Sequence, residues 1–218
     1  MTPEMIAIPG GSVSMRDDRH KRQWQVDIAP FLMGSTLVTQ ELYAHVMGSN
    51  PATFKGAQRP VENVSWYDAI GFCNSLSAMN GLEAAYVVGS DPDNVTLVEG
   101  ADGYRLPSDA ERQYAGLGGQ LKPLYGEIDE IAWFALNSSQ QTHDVRQKAP
   151  NAFGLYDMVG NVWEWCFDLY DPEEYGTYRI FRGGGWNDPE RHCLLTNRRR
   201  SHPTYAIDDL GFRLARSI

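Results

Sequence analysis

The sequence predicts an α+β fold with two or three helices, short and mostly antiparallel strands, and much irregular structure. Three observations support this class. The strong helix-start signals fall in the first half of the chain, and no long helical period follows residue 116. Gly-, Pro- and Asn-rich turns dominate the second half. Short aromatic segments at 162–167 and 179–182 are typical of strands.

Three polar residues mark where helices begin, because a side-chain oxygen there can accept a hydrogen bond from a free N–H of the first turn. Thr39 precedes a helix over 40–47, Ser65 precedes a helix that ends at Asn80-Gly81, and Ser108 precedes a helix to about residue 115. Ser65 and Ser108 are each followed by an acidic residue at the spacing of a capping box. Gly48 is expected to end the first helix.

Tight turns are predicted at three further places. The stretches 90–94 and 99–103 are rich in Asp, Gly and Asn or Pro, and we expect them to form hairpin ends around short strands. The Gly-Gly-Gly run at 183–185 is followed neither by Lys-Ser/Thr nor by a helix signal. We therefore interpret it as a tight backbone turn and not as a phosphate-binding loop.

The composition excludes several classes of protein. The 218 residues are 42% hydrophobic and 22% charged, which predicts one globular domain over 1–218. The formal net charge of −9 argues against nucleic-acid binding, which depends on clustered cations. No apolar run reaches the about 18 residues of a membrane span, so a soluble chain without membrane insertion is expected. No basic leader segment is visible, so the expected location is the cytoplasm or the surface of a virus particle.

The usual catalytic motifs are absent from the sequence, and no catalytic residue is predicted. The five histidines form no H-x-x-x-H or H-E-x-x-H pair, and neither a G-x-S-x-G nor a P-loop motif occurs. Three widely spaced cysteines, Cys73, Cys166 and Cys193, do not indicate a disulfide framework. Cys73 and Cys166 are interpreted as inert core residues, because free cysteine is among the most buried residue types.

One segment has the composition of a cation site. Asp157 and Glu164 flank a Gly-containing turn, and Ca²⁺ takes both carboxylate and backbone carbonyl oxygens. The alternative is that Asp157 caps the turn and Glu164 pairs with an arginine.

Seven ordered segments span nearly the whole chain. They are IPGG at 8–11, VT at 38–39, PVENVSW at 60–66, YRLPSDAE at 104–111, NAFGLYDMVGNVWEW at 151–165, RGGGW at 182–186 and GFR at 211–213. Together they resemble the formylglycine-generating, sulfatase-modifying-factor family. The resemblance implies a C-type-lectin-like fold, which agrees with the α+β prediction.

The resemblance also implies two metal sites. The family's calcium site maps onto the side chains of Asp157 and Glu164 and the carbonyls of Gly160 and Val162, which makes Ca²⁺ an expected structural cofactor.

The family's oxidases bind Cu(I) through two cysteines, and these positions hold Asp188 and Cys193 here. Cu(I) prefers thiolate ligands, so Asp188 argues against a copper site, and we predict that the protein is not an enzyme. Cys166 is the alternative source of a second thiolate. A copper-dependent oxidase with an altered site and a catalytically inactive regulatory module are the alternatives.

The segment 186–209 resembles the diversified region of the variable proteins of diversity-generating retroelements. Adenine mutation of Asn codons yields Asn, Asp, His, Tyr, Ser, Thr, Ile, Leu or Ala, but never Lys, Gln, Glu, Met or Trp. Residues of the first set fill much of 187–209 between arginines, and Glu190 is the single residue there from the second set. The resemblance implies a ligand-binding, receptor-type protein with a diversified C-terminal surface. An ordinary polar loop is the alternative. The residues expected to contact a protein or other macromolecular ligand are Trp186, Asn187, Asp188, Glu190, His192, Leu195, Asn197, Ser201, His202, Thr204, Tyr205, Ile207 and Asp208.

This interpretation has structural consequences. The contact residues should be exposed and adjacent, whereas Cys193 and Phe212 should be buried beneath them. The arginines at 198–200 should pair at least in part with acidic groups of the scaffold. Any that stay unpaired would suit an anionic ligand.

Overall fold

The computed structural model describes residues 1–91 and 93–218. Its α-helices are α1 (Gln40–Met47), α2 (Trp66–Met79), α3 (Asp109–Leu117), α4 (Ile128–Ile131) and α5 (Pro172–Tyr175). Its strands are β1 (Met5–Ile8), β2 (Gly11–Asp17), β3 (Arg22–Ile28), β4 (Phe31–Gly34), β5 (Tyr86–Val88), β6 (Val95–Leu97), β7 (Tyr104–Arg105), β8 (Trp163–Leu169), β9 (Arg179–Arg182), β10 (Arg198–Ser201), β11 (Leu210–Phe212) and β12 (Ala215–Ser217). The predicted α+β class is confirmed.

The three predicted helices form where their capping residues place them. Thr39 caps α1, which ends at Gly48 in the left-handed region. Ser65 and Ser108 form capping boxes with Asp68 and Glu111. The helix α3 runs two residues beyond the predicted end, to Leu117, because Gly118 is the residue that adopts the left-handed conformation.

Within the described residues, the strands form two four-stranded sheets and two separate hairpins. One sheet has the order β1-β4-β12-β7, so the end of the chain lies between strands from its first half. The other has the order β10-β9-β8-β11, in which β11 runs parallel to β8 and the other pairs are antiparallel. The hairpins are β2–β3, which the sequence did not indicate, and β5–β6. The turn predicted at 90–94 includes Pro92, which lies outside the described residues.

Two clusters of apolar side chains form the core, one around α2 and β8 and one around α3 and β4. A buried ion triad lies deep in the fold, where the Glu164 carboxylate accepts from the guanidinium groups of Arg112 and Arg213. The three cysteines are free and buried, as expected for Cys73 and Cys166. Among the described residues, no helix is long and apolar enough to cross a membrane.

Candidate binding surface at residues 186–209

The segment 186–209 starts from a glycine turn that admits no side chains. Gly183 and Gly184 have φ values of 105° and 84°, as the predicted tight turn requires. A Cβ atom on Gly184 would lie 2.7 Å from the Cys193 sulfur, and one on Gly185 would lie 2.9 Å from the Asp209 Cβ. The turn therefore packs both ends of the segment against each other.

Asp188 links this turn to the rest of the segment. Its Oδ2 accepts hydrogen bonds from Trp163 Nε1 at 2.6 Å and from the Gly185 N–H at 3.0 Å. Its Oδ1 lies 2.9 Å from His192 Nδ1 and 3.6 Å from Arg199 Nη2. Asp188 is only 7% exposed, so it holds the segment in place and offers little surface to a ligand.

Two other predicted contact residues are buried as well, so the structure corrects them together with Asp188. Trp186 is 8% exposed, donates from Nε1 to the Asp208 carbonyl at 2.9 Å and packs edge-to-face on Phe54. Leu195 is 1% exposed and belongs to the core cluster around α3. Both side chains pack into the protein because the segment folds back onto its scaffold between polar positions.

Five of the predicted contact residues are exposed. They are Asn187, Glu190, His202, Thr204 and Tyr205. Tyr205 is 40% exposed and is the largest of them. The exposed side chains combine an aromatic ring with hydrogen-bonding groups, which is the chemistry of adaptable protein-binding loops.

The remaining five predicted contact residues are partly exposed: His192, Asn197, Ser201, Ile207 and Asp208. Asn197 has a structural task, because its Nδ2 donates to the carbonyls of Arg191 and His192 at 2.8 and 2.9 Å. As predicted, Cys193 and Phe212 are wholly buried.

The three arginines of β10 differ in their partners. Arg198 Nε lies 3.0 Å from Asp109 Oδ2, and Arg199 lies over the Trp163 ring near Asp188. Arg200 makes no ion pair with the described residues, and its guanidinium lies 3.7 Å from the centre of the Tyr175 ring. The predicted partial pairing with acidic groups is therefore confirmed.

The residues at the family's copper position do not fit Cu(I). The Asp188 carboxylate already accepts hydrogen bonds from Trp163 Nε1 and the Gly185 N–H. Burial raises the pKa of the Cys193 thiol to about 12, which opposes the thiolate that copper needs. Burial also raises the pKa of Cys166 well above its usual range.

At the predicted calcium site, Glu164 has other partners. Burial opposes its charged form, but the charges of Arg112 and Arg213 outweigh burial and lower the pKa of Glu164. Burial raises the pKa of Asp157 to about 6, and its Oδ2 accepts from the Arg146 N–H at 3.0 Å. A cation at this place would compete with two guanidinium groups, so these residues fit the arginine-pairing alternative better than an ion. Calcium binding stays a prediction.

The sequence analysis did not identify two residues that support the surface. Glu62 is wholly buried, and its Oε1 accepts from the Phe54 N–H at 2.8 Å. Phe54 in turn packs on Trp186. Glu62 is separated from these partners by turns of irregular spacing, so no periodic pattern in the sequence signals the contact.

Similarity to known proteins identifies both the fold and the family of this chain. The fold is the C-type-lectin-like fold of formylglycine-generating proteins. The model of the sulfatase-modifying factor enzyme 1-like domain matches residues 1–218, and the chain therefore belongs to this family.

Two relatives match over nearly their whole length. Treponema denticola variable protein 1 is 33% identical, with a TM-score of 0.90 and coverage of 98% of this chain and 95% of that one. The Paenibacillus barcinonensis protein named chaperone protein LppX is 36% identical over 254 residues, which cover 100% of this chain and 90% of that protein. The predicted resemblance to the family and to variable proteins is confirmed.

The family contains proteins with and without enzymatic activity. The inactive Cα-formylglycine-generating enzyme 2 of Mus musculus is 28% identical over 178 residues, and these cover 72% of this chain and 49% of that protein. Formylglycine-generating enzymes of Streptomyces coelicolor and Mus musculus are also similar. Membership in the family is therefore compatible with a protein that is not an enzyme.

Proposed function

We propose that this protein is a receptor-type binding protein whose segment 186–209 displays variable side chains to a macromolecular ligand. The proposal rests on the backbone hydrogen bonds that attach the exposed part of the segment to the rest of the protein. The Pro203 and Ile207 carbonyls accept from the backbone N–H groups of Trp66 and Asn63, each at 3.0 Å. Main-chain hydrogen bonds do not depend on side-chain identity, so the intervening side chains can differ without loss of these bonds.

The exposed side chains project from a loop that is closed by its own backbone. The Tyr205 N–H donates to the His202 carbonyl at 2.9 Å, and His202 Nδ1 lies 2.8 Å from Thr204 Oγ1. This resembles a binding loop on a rigid scaffold, where polar and aromatic groups supply contacts at low entropic cost. The likeness to Treponema denticola variable protein 1 supports the same function.

The test is a library of this chain diversified at His202, Thr204 and Tyr205 and selected against two unrelated folded target proteins. We expect binders that are specific for one target and that change the free energy of unfolding by about ±0.5 kcal/mol per position. A matched library at three exposed positions elsewhere, Gln23, Gln25 and Thr96, should yield none. Loss of several kcal/mol in urea unfolding, or equal yields from both libraries, would contradict the proposal.

The genome offers a second test. A near-copy of the 3′ coding end that differs at adenines, beside a reverse transcriptase gene, would support diversification of this segment.

A second candidate function follows from the likeness to the protein named chaperone protein LppX, which covers the whole chain. A chaperone would bind a non-native client and raise its refolding yield, whereas a receptor-type protein would bind a folded ligand. A refolding assay with aggregation-prone substrates separates the two functions. Copper-dependent oxygen uptake with a cysteine-containing peptide would instead support the altered-site oxidase.

A further inference from the structure

Strand β10 leaves one edge of its sheet open. It lies at the end of the order β10-β9-β8-β11, and β9 is the one strand that pairs with it among the described residues. In an antiparallel ladder, alternate N–H and C=O groups of an end strand point away from the neighbour. This edge can therefore form hydrogen bonds with another extended chain.

The side chains along this edge are cationic. Arg200 makes no ion pair with the described residues, and its Nε is buried without a hydrogen-bond partner. Its guanidinium is held between Tyr170 and Tyr175, at 4.7 and 3.7 Å from the ring centres. The Arg199 side chain is 43% exposed. A positioned guanidinium without an acceptor favours an incoming carboxylate, because charge-assisted hydrogen bonds are the stronger ones.

The free positive charge at this edge comes from few side chains. Arg182 and Arg198 both pair with Asp109, and Arg179 is buried against the Trp66 ring. Arg191 is exposed and also makes no ion pair with the described residues. A second copy of this edge would bring like charges together, which opposes edge-to-edge pairing of two identical chains.

We propose that the open edge of β10 binds an extended acidic segment of a partner protein by strand addition. The proposal rests on the proposed binding function and names the chemistry of one contact. The partner segment forms a main-chain ladder with β10, and its Asp or Glu side chains pair with Arg199 and Arg200. Side chains alternate along a strand, so Arg199 and Arg200 face opposite sides and a run of consecutive acids engages both.

Short end-blocked peptides of Glu and Thr test the proposal with the wild-type chain. Fluorescence anisotropy should detect binding of the Glu-containing peptide at low salt. A matched peptide with Lys in place of Glu should not bind. N-methylation of alternate residues should weaken binding by about tenfold or more, because it removes main-chain donors that the ladder needs. Hydrogen exchange should slow at the amides of β10. Equal binding of the methylated peptide would overturn strand addition.

Charge-reversal variants test the named arginines. Arg199→Glu combined with Arg200→Glu should weaken peptide binding by about tenfold or more. The control is Arg22→Glu on β3, an exposed arginine without an ion pair among the described residues, which should change little. Equal losses in both proteins, or displacement of the peptide by a single-stranded oligonucleotide of equal affinity, would overturn the proposal. Arg200→Gln, a milder change, replaces the double variant if that protein fails to fold.

Two experimental outcomes distinguish strand addition at β10 from the display function of segment 186–209. Target-specific binders from the His202, Thr204 and Tyr205 library without Glu-peptide binding would refute strand addition alone. Glu-peptide binding at β10 without any such binders would refute the display function alone.

Discussion

Replacement of Glu62 by glutamine should make the protein more stable above neutral pH. Glu62 is wholly buried, and its Oε2 has no hydrogen-bond partner among the described residues. Burial raises its pKa to about 7, and the nearby Asp208 acts in the same direction, although the N–H groups of Phe54 and Thr53 partly offset this. A rise in the pKa from 4.5 to about 7 means that folding destabilises the charged form of Glu62 by about 3 kcal/mol relative to its neutral form.

The sign of the pH dependence follows from proton binding. Between pH 4.5 and about 7 the folded protein holds the Glu62 proton more tightly than the unfolded chain does. The free energy of unfolding therefore falls as the pH rises through this window and levels off above it. Glutamine keeps an acceptor for the Phe54 N–H but carries no charge, so Glu62→Gln removes this loss.

Urea unfolding from pH 4 to pH 9 measures the effect. The free energy of unfolding of Glu62→Gln minus that of wild type should rise by about 3 kcal/mol across the window. The other acids with raised pKa values, such as Asp157 and Asp209, contribute equally to both proteins and cancel in the difference. Glu99→Gln, at an exposed position, is the matched control and should give a flat difference. A flat difference for Glu62→Gln would refute the reasoning.

Two further substitutions test the anchors of the candidate surface. Asp188→Ala should lower the free energy of unfolding by about 2–4 kcal/mol, because it leaves the buried N–H donors of Trp163 and Gly185 without an acceptor. Asp188→Asn keeps an acceptor and should lower it less. A loss below about 0.5 kcal/mol for Asp188→Ala in urea unfolding would argue against the anchoring role. Glu164→Gln should cost about 3–5 kcal/mol, because it leaves Arg112 and Arg213 buried beside a neutral group. If Ca²⁺ binds at the predicted site, EDTA should lower the melting temperature of wild type but not of Glu164→Gln. An equal loss for Glu164→Gln with calcium and with EDTA would contradict calcium binding and leave the arginine-pairing alternative.

The sequence predicted α1, α2 and α3 well because their signals are local, whereas the one-turn helices α4 and α5 were not predicted. The capping oxygens of Thr39, Ser65 and Ser108 act on N–H groups a few residues away, so the pattern can be read from neighbouring letters. The β2–β3 hairpin was missed because its turn, 18–21, contains Asp, Arg, His and Lys and no glycine or asparagine. Lys21 adopts a positive φ there, which nothing in its residue type indicates.

The candidate surface was predicted only in part, because burial in an irregular segment has no period. The spacing of apolar residues reveals the buried faces of strands and helices. The stretch 186–197 consists of irregular backbone, two turns and a short 3-10 helix, so the sequence could not predict the burial of Trp186, Asp188 and Leu195. The ion triad of Glu164 joins residues 52 and 49 positions away, and such pairing depends on the tertiary fold.

The two halves of the segment are fixed by different kinds of bond, and this difference sets where variation is tolerated. In the first half, side chains do the anchoring, since Asp188 and Asn197 hold the turn and the 3-10 helix at Glu190–His192. In the second half, 202–208, the backbone carbonyls of Pro203 and Ile207 do the anchoring. The residue types typical of diversified segments occur in both halves alike, but a change at Asp188 removes hydrogen bonds and a change at Tyr205 does not. Diversity in ligand recognition should therefore come mainly from the second half, while the first half varies only where its side chains are exposed, as at Asn187 and Glu190.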